Sequence, residues 1–180
     1  MKTFRFDDIC INSDGHNELQ IATYLKQKFP GCRIIFGISP LVHDKKDCDQ
    51  RVYPKIFNAF SSNVPFFEPT QCGVPRIPDF VEPAGHGLWH IDHRLIPDSL
   101  STASILTSCS LTNSKIFIPP FNKYDNSMIE TCEEHEIELI KFEHGWKSME
   151  HNEFNDDHNL WYLHARCWNI ETFKTYMNHE

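Results

Sequence analysis

The sequence predicts an α/β protein built on a mainly parallel sheet, and three observations carry that expectation. Short β-branched or aromatic runs recur along the chain, and segments with apolar residues at helical spacing separate them. The residue types able to do chemistry stand just after the strand-like runs. In parallel α/β folds that carboxyl-end rim is where ligands bind.

In chain order, Phe4-Arg5-Phe6 reads as a strand. A helix follows over 17–29 with Leu19, Ala22, Leu25 and Phe29 on one face, better entered from Asn12, Ser13 or Asp14 than from the acidic pair, and Pro30-Gly31 stops it. Residues 33–38 (RIIFGI) have the continuous apolar character of a strand buried on both faces. A helix is expected at 55–60, and within the proline-rich passage 64–83 only a strand near Phe80-Val81 is assigned. Leu100, Ala103, Leu106 and Cys109 mark a helix entered through Asp98 or Ser99, and residues 115–118 (KIFI) form a strand ended by Pro119-Pro120. Asp125 caps a helix carrying Met128, Ile129 and Cys132, with a strand over 137–142 after it. Residues 160–163 (LWYL) are another strand, and Asn169 caps a last helix bearing Ile170, Phe173 and Met177. No repeat or linker interrupts the series, and 180 residues suffice for one core, so a single domain over 1–180 is expected.

Charge and composition narrow the function. A formal charge of −8, with Lys45-Lys46 flanked by Asp44 and Asp47, would repel a phosphate backbone and argues against nucleic acid. No apolar run approaches the roughly 18 residues of a membrane span. The opening MKTFRFDDIC lacks the apolar core of a signal peptide, so a cytoplasmic protein is expected. The seven cysteines include no CxxC pair, which favours reduced, mostly buried thiols, Cys10 among them.

The stretch HGLWHIDH, residues 86–93, concentrates three imidazoles. His86 and His90 stand four apart, a spacing that turns both rings toward one point if the segment is helical or tightly turned. Gly87 occupies the position where the zincin signature needs Glu, which excludes that family. Asp7-Asp8 follows an apolar strand, and adjacent side chains at a strand end diverge, so one carboxylate can hold a metal while its neighbour handles a proton. Catalytic zinc typically takes three protein ligands and keeps a place for water. One Asp plus His86 and His90 meets that count, and so does His86, His90 and His93.

Asp92, His93 and Arg94 are read either as partners that fix an imidazole or touch substrate, or as an exposed charged turn. Trp89, Phe121 and Trp146 offer aromatic faces to a sugar ring or to the core, Trp146 being the best placed for stacking. His43 with Asp44 and Asp47 reads as a solvated loop, and His151, His158 and His179 as exposed.

Phe6-Asp7-Asp8, His86-Gly-Leu-Trp-His90, Pro119-Pro120-Phe121 and Leu163-His164 occur in the order and approximate spacing of the NodB-homology polysaccharide deacetylases. The chain resembles that family from Phe4 to about Trp168. It looks closest to the short WbmS-like branch of bacterial surface-polysaccharide clusters, where blocks like FRFDDI, HGLxHxDHR and PPFNK recur. The resemblance implies a distorted, incomplete (β/α) barrel with a divalent metal, usually zinc, that hydrolyses an N- or O-acetyl group on a sugar. By position, Asp8, His86 and His90 correspond to the metal ligands, Asp7 to the general base that deprotonates a metal-activated water, His164 to the general acid, and the Phe121 N–H to an oxyanion donor. An acetylated precursor of a surface polysaccharide is the implied substrate.

Three departures accompany the resemblance. Gly87 replaces the Thr or Ser after the first ligand, and Ile118 replaces the Arg that usually precedes the paired prolines. The Asp that in the family often orients the general acid is the third element missing; Lys123 is the candidate for the absent positive charge near Asp7, and Glu143 for the acid that orients His164. Those departures keep two other readings open: a metal-bearing carbohydrate-binding module without catalysis, and a different metal-assisted hydrolysis on the same fold.

Overall fold

The structure is a computed structural model that describes residues 1–9, 15–40, 77–142 and 145–178. The expected helix at 55–60, the loop with His43, Asp44 and Asp47, the residues 12–14, Cys10, Glu143 and His179 lie outside the described residues.

Among the described residues seven strands make one sheet: β1 (Thr3–Ile9), β2 (Arg33–Ile38), β3 (Glu82–Gly85), β4 (Ile116–Phe117), β5 (Glu138–Leu139), β6 (Trp146–Ser148) and β7 (Leu160–Leu163). Their spatial order is β5-β4-β3-β2-β1-β7-β6 and every adjacent pair is parallel. Read as a ring, that order is sequential, broken only between β5 and β6. The sheet curls into the expected incomplete (β/α) barrel. Among the described residues four α-helices accompany it: α1 (Gly15–Lys28), α2 (Asp98–Leu111), α3 (Asn126–Glu134) and α4 (Ile170–Asn178).

Alternation along the strands divides the interior. Phe4 and Phe6 of β1, Ile34, Phe36 and Ile38 of β2, and Trp161 and Leu163 of β7 pack with Ile21, Ala22 and Leu25 of α1 and Phe173 and Met177 of α4. Burying side chains of this size stabilises the fold by about 1.5–3 kcal/mol each before chain entropy is counted. Ile35, Ala84, Ile118 and Ile140 form a separate, inner cluster with Trp146 against it. Phe117 packs with Ile105 and Cys109 of α2 and Met128 and Cys132 of α3. Asp125 caps α3 by accepting from the Met128 N–H, and Asn169 caps α4 by accepting from the Glu171 and Thr172 N–H groups.

The strand boundaries correct the sequence reading: the strands expected over 115–118 and 137–142 shrink to Ile116–Phe117 and Glu138–Leu139, and three other places differ. β1 runs on through Asp7 and Asp8 to Ile9, so the carboxylates lie within the strand and not after it. The third strand is Glu82–Gly85, displaced from Phe80-Val81, and it carries Pro83 in the ladder opposite Phe36. Trp146 opens a strand of its own, β6. Cys32, Cys109 and Cys132 are buried as expected, whereas Cys167 is exposed.

Candidate active site

The site begins with an irregularity in β1. Phe6 pairs with Phe36 and Ile9 with Ile38, so three steps on β1 match two on β2, the signature of a bulge. Asp8 absorbs the extra residue with φ 61, a left-handed conformation unusual for a non-glycine residue and seen preferentially at functional sites. Ile9 consequently rejoins Phe4 and Phe6 in the helix-side cluster. Asp7 and Asp8, flanked by Phe6 and Ile9 that pack on the same side, are both buried.

His86 and His90 come from the segment after β3. The His86 N–H continues the ladder to the Ile38 carbonyl at 2.9 Å, and a non-helical bend then returns the chain. Gly87 makes that bend possible: it has φ 75, and a Cβ there would stand 2.8 Å from the Trp89 carbonyl oxygen. His86 Nδ1 lies 2.8 Å from the Ile118 carbonyl. Because a carbonyl only accepts, Nδ1 carries the hydrogen and Nε2 of the neutral ring is left as a ligand atom.

Asp8 Oδ1 is 2.9 Å from His90 Nε2 and 3.4 Å from His86 Nε2. Tetrahedral zinc ligands are about 3.3 Å apart, a value that follows from usual bond lengths. Among the described residues, Asp8, His86 and His90 form a group able to hold a metal ion, all three buried. His86 Nε2 has no hydrogen-bond partner there, a buried atom that a cation would satisfy. Burial alone would raise the Asp8 carboxyl, but the adjacent His86 and His90 rings outweigh it and hold the group well below the usual carboxylate range. His93 is not in this group. Its Nδ1 faces Ser101 Oγ at 3.0 Å, its Nε2 faces Ser104 Oγ at 3.5 Å, and burial, then the neighbouring His86, push it down to about 4.

The positive charge beside Asp7 is Arg5, not Lys123. The Arg5 guanidinium donates to Asp7 Oδ2 at 2.7 Å and to Asn122 Oδ1 at 2.5 Å, and the side chain is wholly buried. Trp146, Tyr162 and Phe142 ring it at 4.9, 5.4 and 5.9 Å. Trp146 therefore covers a cation within the protein. Lys123 pairs with Asp92 at 3.4 Å, and Arg94 grips the same carboxylate through two nitrogens, keeping Asp92 below its ordinary pKa. Trp89 is buried with Leu88, Ile91 and Ile96, so it offers no open face.

His164, at the end of β7, brings Nε2 to 3.5 Å from Asp8 Oδ2. Its partner is Glu150, which accepts from the His164 backbone N–H at 2.6 Å and lies 3.6 Å from Nδ1. Burial would raise Glu150, but His164 and Ser148 hold it at about 2. Burial likewise opposes the charged form of His164, yet Glu150, Asp8 and Asp7 together lift its pKa above the ordinary value. Phe121 has φ 57 and sets its ring edge-on to His90 at 4.3 Å.

Sequence reasoning missed Arg5 and Glu150. A signal for Arg5 existed, since it stands two residues before Asp7 on a strand, hence on the same face. Glu150 sits in the polar run MEHNEFNDDHN and had none.

No protein-family profile and no curated protein matches the sequence. Solved structures do match. The family 4 carbohydrate esterase from Streptomyces lividans in complex with acetate is 10% identical, with a TM-score of 0.54 over 97% of this chain and 83% of that one. The peptidoglycan deacetylase PdaC from Bacillus subtilis is 11% identical, with a TM-score of 0.51 over 92% and 74%. A family 4 pseudoenzyme from Bacillus anthracis is 11% identical, with a TM-score of 0.58 over 98% and 59%. The chain therefore shares the fold of these family 4 carbohydrate esterase structures.

Proposed function

We propose that this chain is a metal-dependent hydrolase that removes an N- or O-linked acetyl group from a sugar, within one catalytic domain. The observation that carries the reading is the bulge at Asp8, which delivers a buried carboxylate to two converging imidazoles from another strand end. Strain of that kind persists where the surroundings over-determine it, commonly at a working site. The fold adds support, because structures that share it are described as an esterase and a deacetylase. A surface-polysaccharide precursor handled in the cytoplasm is the substrate and setting that the motif resemblance favours.

Asp8, His86 and His90 would hold a divalent cation, zinc fitting the two-nitrogen, one-oxygen donor set. Such a cation supplies Lewis-acid polarisation of the acetyl carbonyl and lowers the pKa of nearby water. The remaining steps belong to side chains. Asp7 is pinned through Oδ2 by Arg5, while its Oδ1 has no hydrogen-bond partner among the described residues and is the atom to receive the proton of the attacking water. The Phe121 N–H would donate to the developing oxyanion. His164, with a raised pKa, carries the proton that the leaving amine or alkoxide takes up, and Glu150 orients it.

The test is acetate release from the zinc-loaded protein with N-acetyl, O-acetyl and glycosidic sugars compared in one assay. Acetate from an acetylated sugar is expected, with the rate falling about 100- to 10,000-fold in Asp7→Asn while bound metal is retained. Wild-type turnover by Asp7→Asn would remove the base assignment. One observation favours a second reading: a pseudoenzyme shares this fold. A protein that binds metal and sugar but releases no acetate from any substrate is that second case.

A further inference from the structure

We infer that His93 is a positioning residue: it anchors a buried relay through Ser104 that holds the segment between His86 and His90 in its ligand-presenting shape. The inference rests on the reading that Asp8, His86 and His90 bind a cation.

The contacts form a chain. The Leu88 N–H donates to Ser104 Oγ at 3.0 Å, and Leu88 lies midway between the two ligands. Having accepted there, Ser104 has its own hydrogen to give, and His93 Nε2 lies 3.5 Å away. His93 Nδ1 in turn reaches Ser101 Oγ at 3.0 Å. One neutral tautomer, with the hydrogen on Nδ1, satisfies all three contacts. Burial selects that uncharged form, since His93 is 1% exposed.

Packing makes the relay stiff. A Cβ at Gly87 would stand 2.9 Å from His93 Nε2, so the backbone of the segment rests directly on the ring. The ring's centroid is 5.6 Å from that of Phe117, between α2 and β4. Ser101, Ser104 and Ser108 recur at helical spacing on α2 and are all buried. Their small size lets α2 approach until a Cβ at Gly85 would lie 2.6 Å from Ser108 Oγ. The entry to the segment is fixed separately, by Ser39 Oγ donating to the His86 carbonyl at 2.8 Å. Ser39 thus sets where the segment begins, and the Ser104–His93 pair sets how it turns. Groups that orient metal ligands in this indirect way typically change affinity by about 10- to 100-fold when removed.

The experiment uses the full chain as wild type, His93→Ala, Ser104→Ala, the double variant and His93→Gln. Zinc affinity is measured by chelator competition, the ligand set by the absorption spectrum of the cobalt-substituted protein, and the relay by hydrogen exchange of the Leu88 amide without metal. His93→Ala and Ser104→Ala are each expected to weaken zinc about 10- to 100-fold. The double variant should be no worse than the weaker single, because both cut one relay. The cobalt spectrum should keep its shape, and His93→Gln, whose amide reaches the Nε2 position, should recover most of the affinity. Leu88 should exchange faster in both single variants. Unchanged zinc affinity and unchanged Leu88 exchange in His93→Ala and Ser104→Ala would overturn the inference. So would an altered cobalt spectrum in His93→Ala, which would make His93 a ligand. If the wild type takes up no zinc, the metal reading fails, and Leu88 exchange still decides the relay.

Discussion

Residues 86–93 and 150–158 are both rich in metal-ligating residue types, and they have opposite fates. In residues 86–93 the three imidazoles are buried, and two of them meet a carboxylate from another strand. In residues 150–158, His151, Glu153, Asp156 and Asp157 are exposed, and among the described residues they form no group that could hold a metal. Local density of donors does not separate the two. What separates them is a partner from a distant strand and the exclusion of water, which together turn individual donors into converging ones. The second stretch still contributes Glu150 at its edge, the acid there that pairs with His164. His158, expected to be exposed, is half-buried against Trp161 at 5.0 Å.

The largest effect that would break this contrast is loss of the convergence itself. Asp8→Ala or His86→Ala is expected to take bound metal from one ion per chain to none by elemental analysis, with acetate release abolished. Next comes Arg5→Met, which strands the buried Asp7 carboxylate; breaking a buried pair in this way costs about 3–5 kcal/mol, readable as a shift in the denaturant midpoint. A smaller change is expected from Glu150→Gln. Glu150 raises the His164 pKa, so activity that needs protonated His164 is lost as pH rises through that pKa, and the loss should begin at lower pH in the variant. On the alkaline side the rate should fall below wild type, while on the acid side the two should converge. The smallest effect is assigned to the exposed stretch: His151→Ala should leave metal content and acetate release at wild-type levels and move stability by less than about 0.5 kcal/mol. A metal loss in His151→Ala would erase the distinction between the two regions.

How legible each part was in the sequence follows from what holds it in place. β2 and β7 were readable to the residue because apolar, β-branched or aromatic runs such as RIIFGI and LWYL need little context. β3 was not, because Pro83, Ala84 and Gly85 are poor strand formers. They are extended because β2 lies on one side, β4 on the other, and Ser108 presses on Gly85. β6 was hidden for a similar reason, being three residues held by β7 alone. At the site, the residues that converge were legible as motifs, while the residues that support them were not. Arg5 read only as part of a strand, since nothing local reveals that Phe142, Trp146 and Tyr162 close around it. Lys123 is the sequence's candidate for the positive charge near Asp7, but it pairs with Asp92.

The additional residue in β1 has a consequence for how the chain tolerates change in length. Strand positions carry a parity, odd inward and even outward, and the insertion at Asp7-Asp8 resets that parity once, so that Ile9 recovers the outward phase of Phe4 and Phe6. Deleting either aspartate would do more than remove one carboxylate: the survivor would sit in a regular strand with a single orientation available, and proton transfer and cation binding could no longer be divided between neighbours.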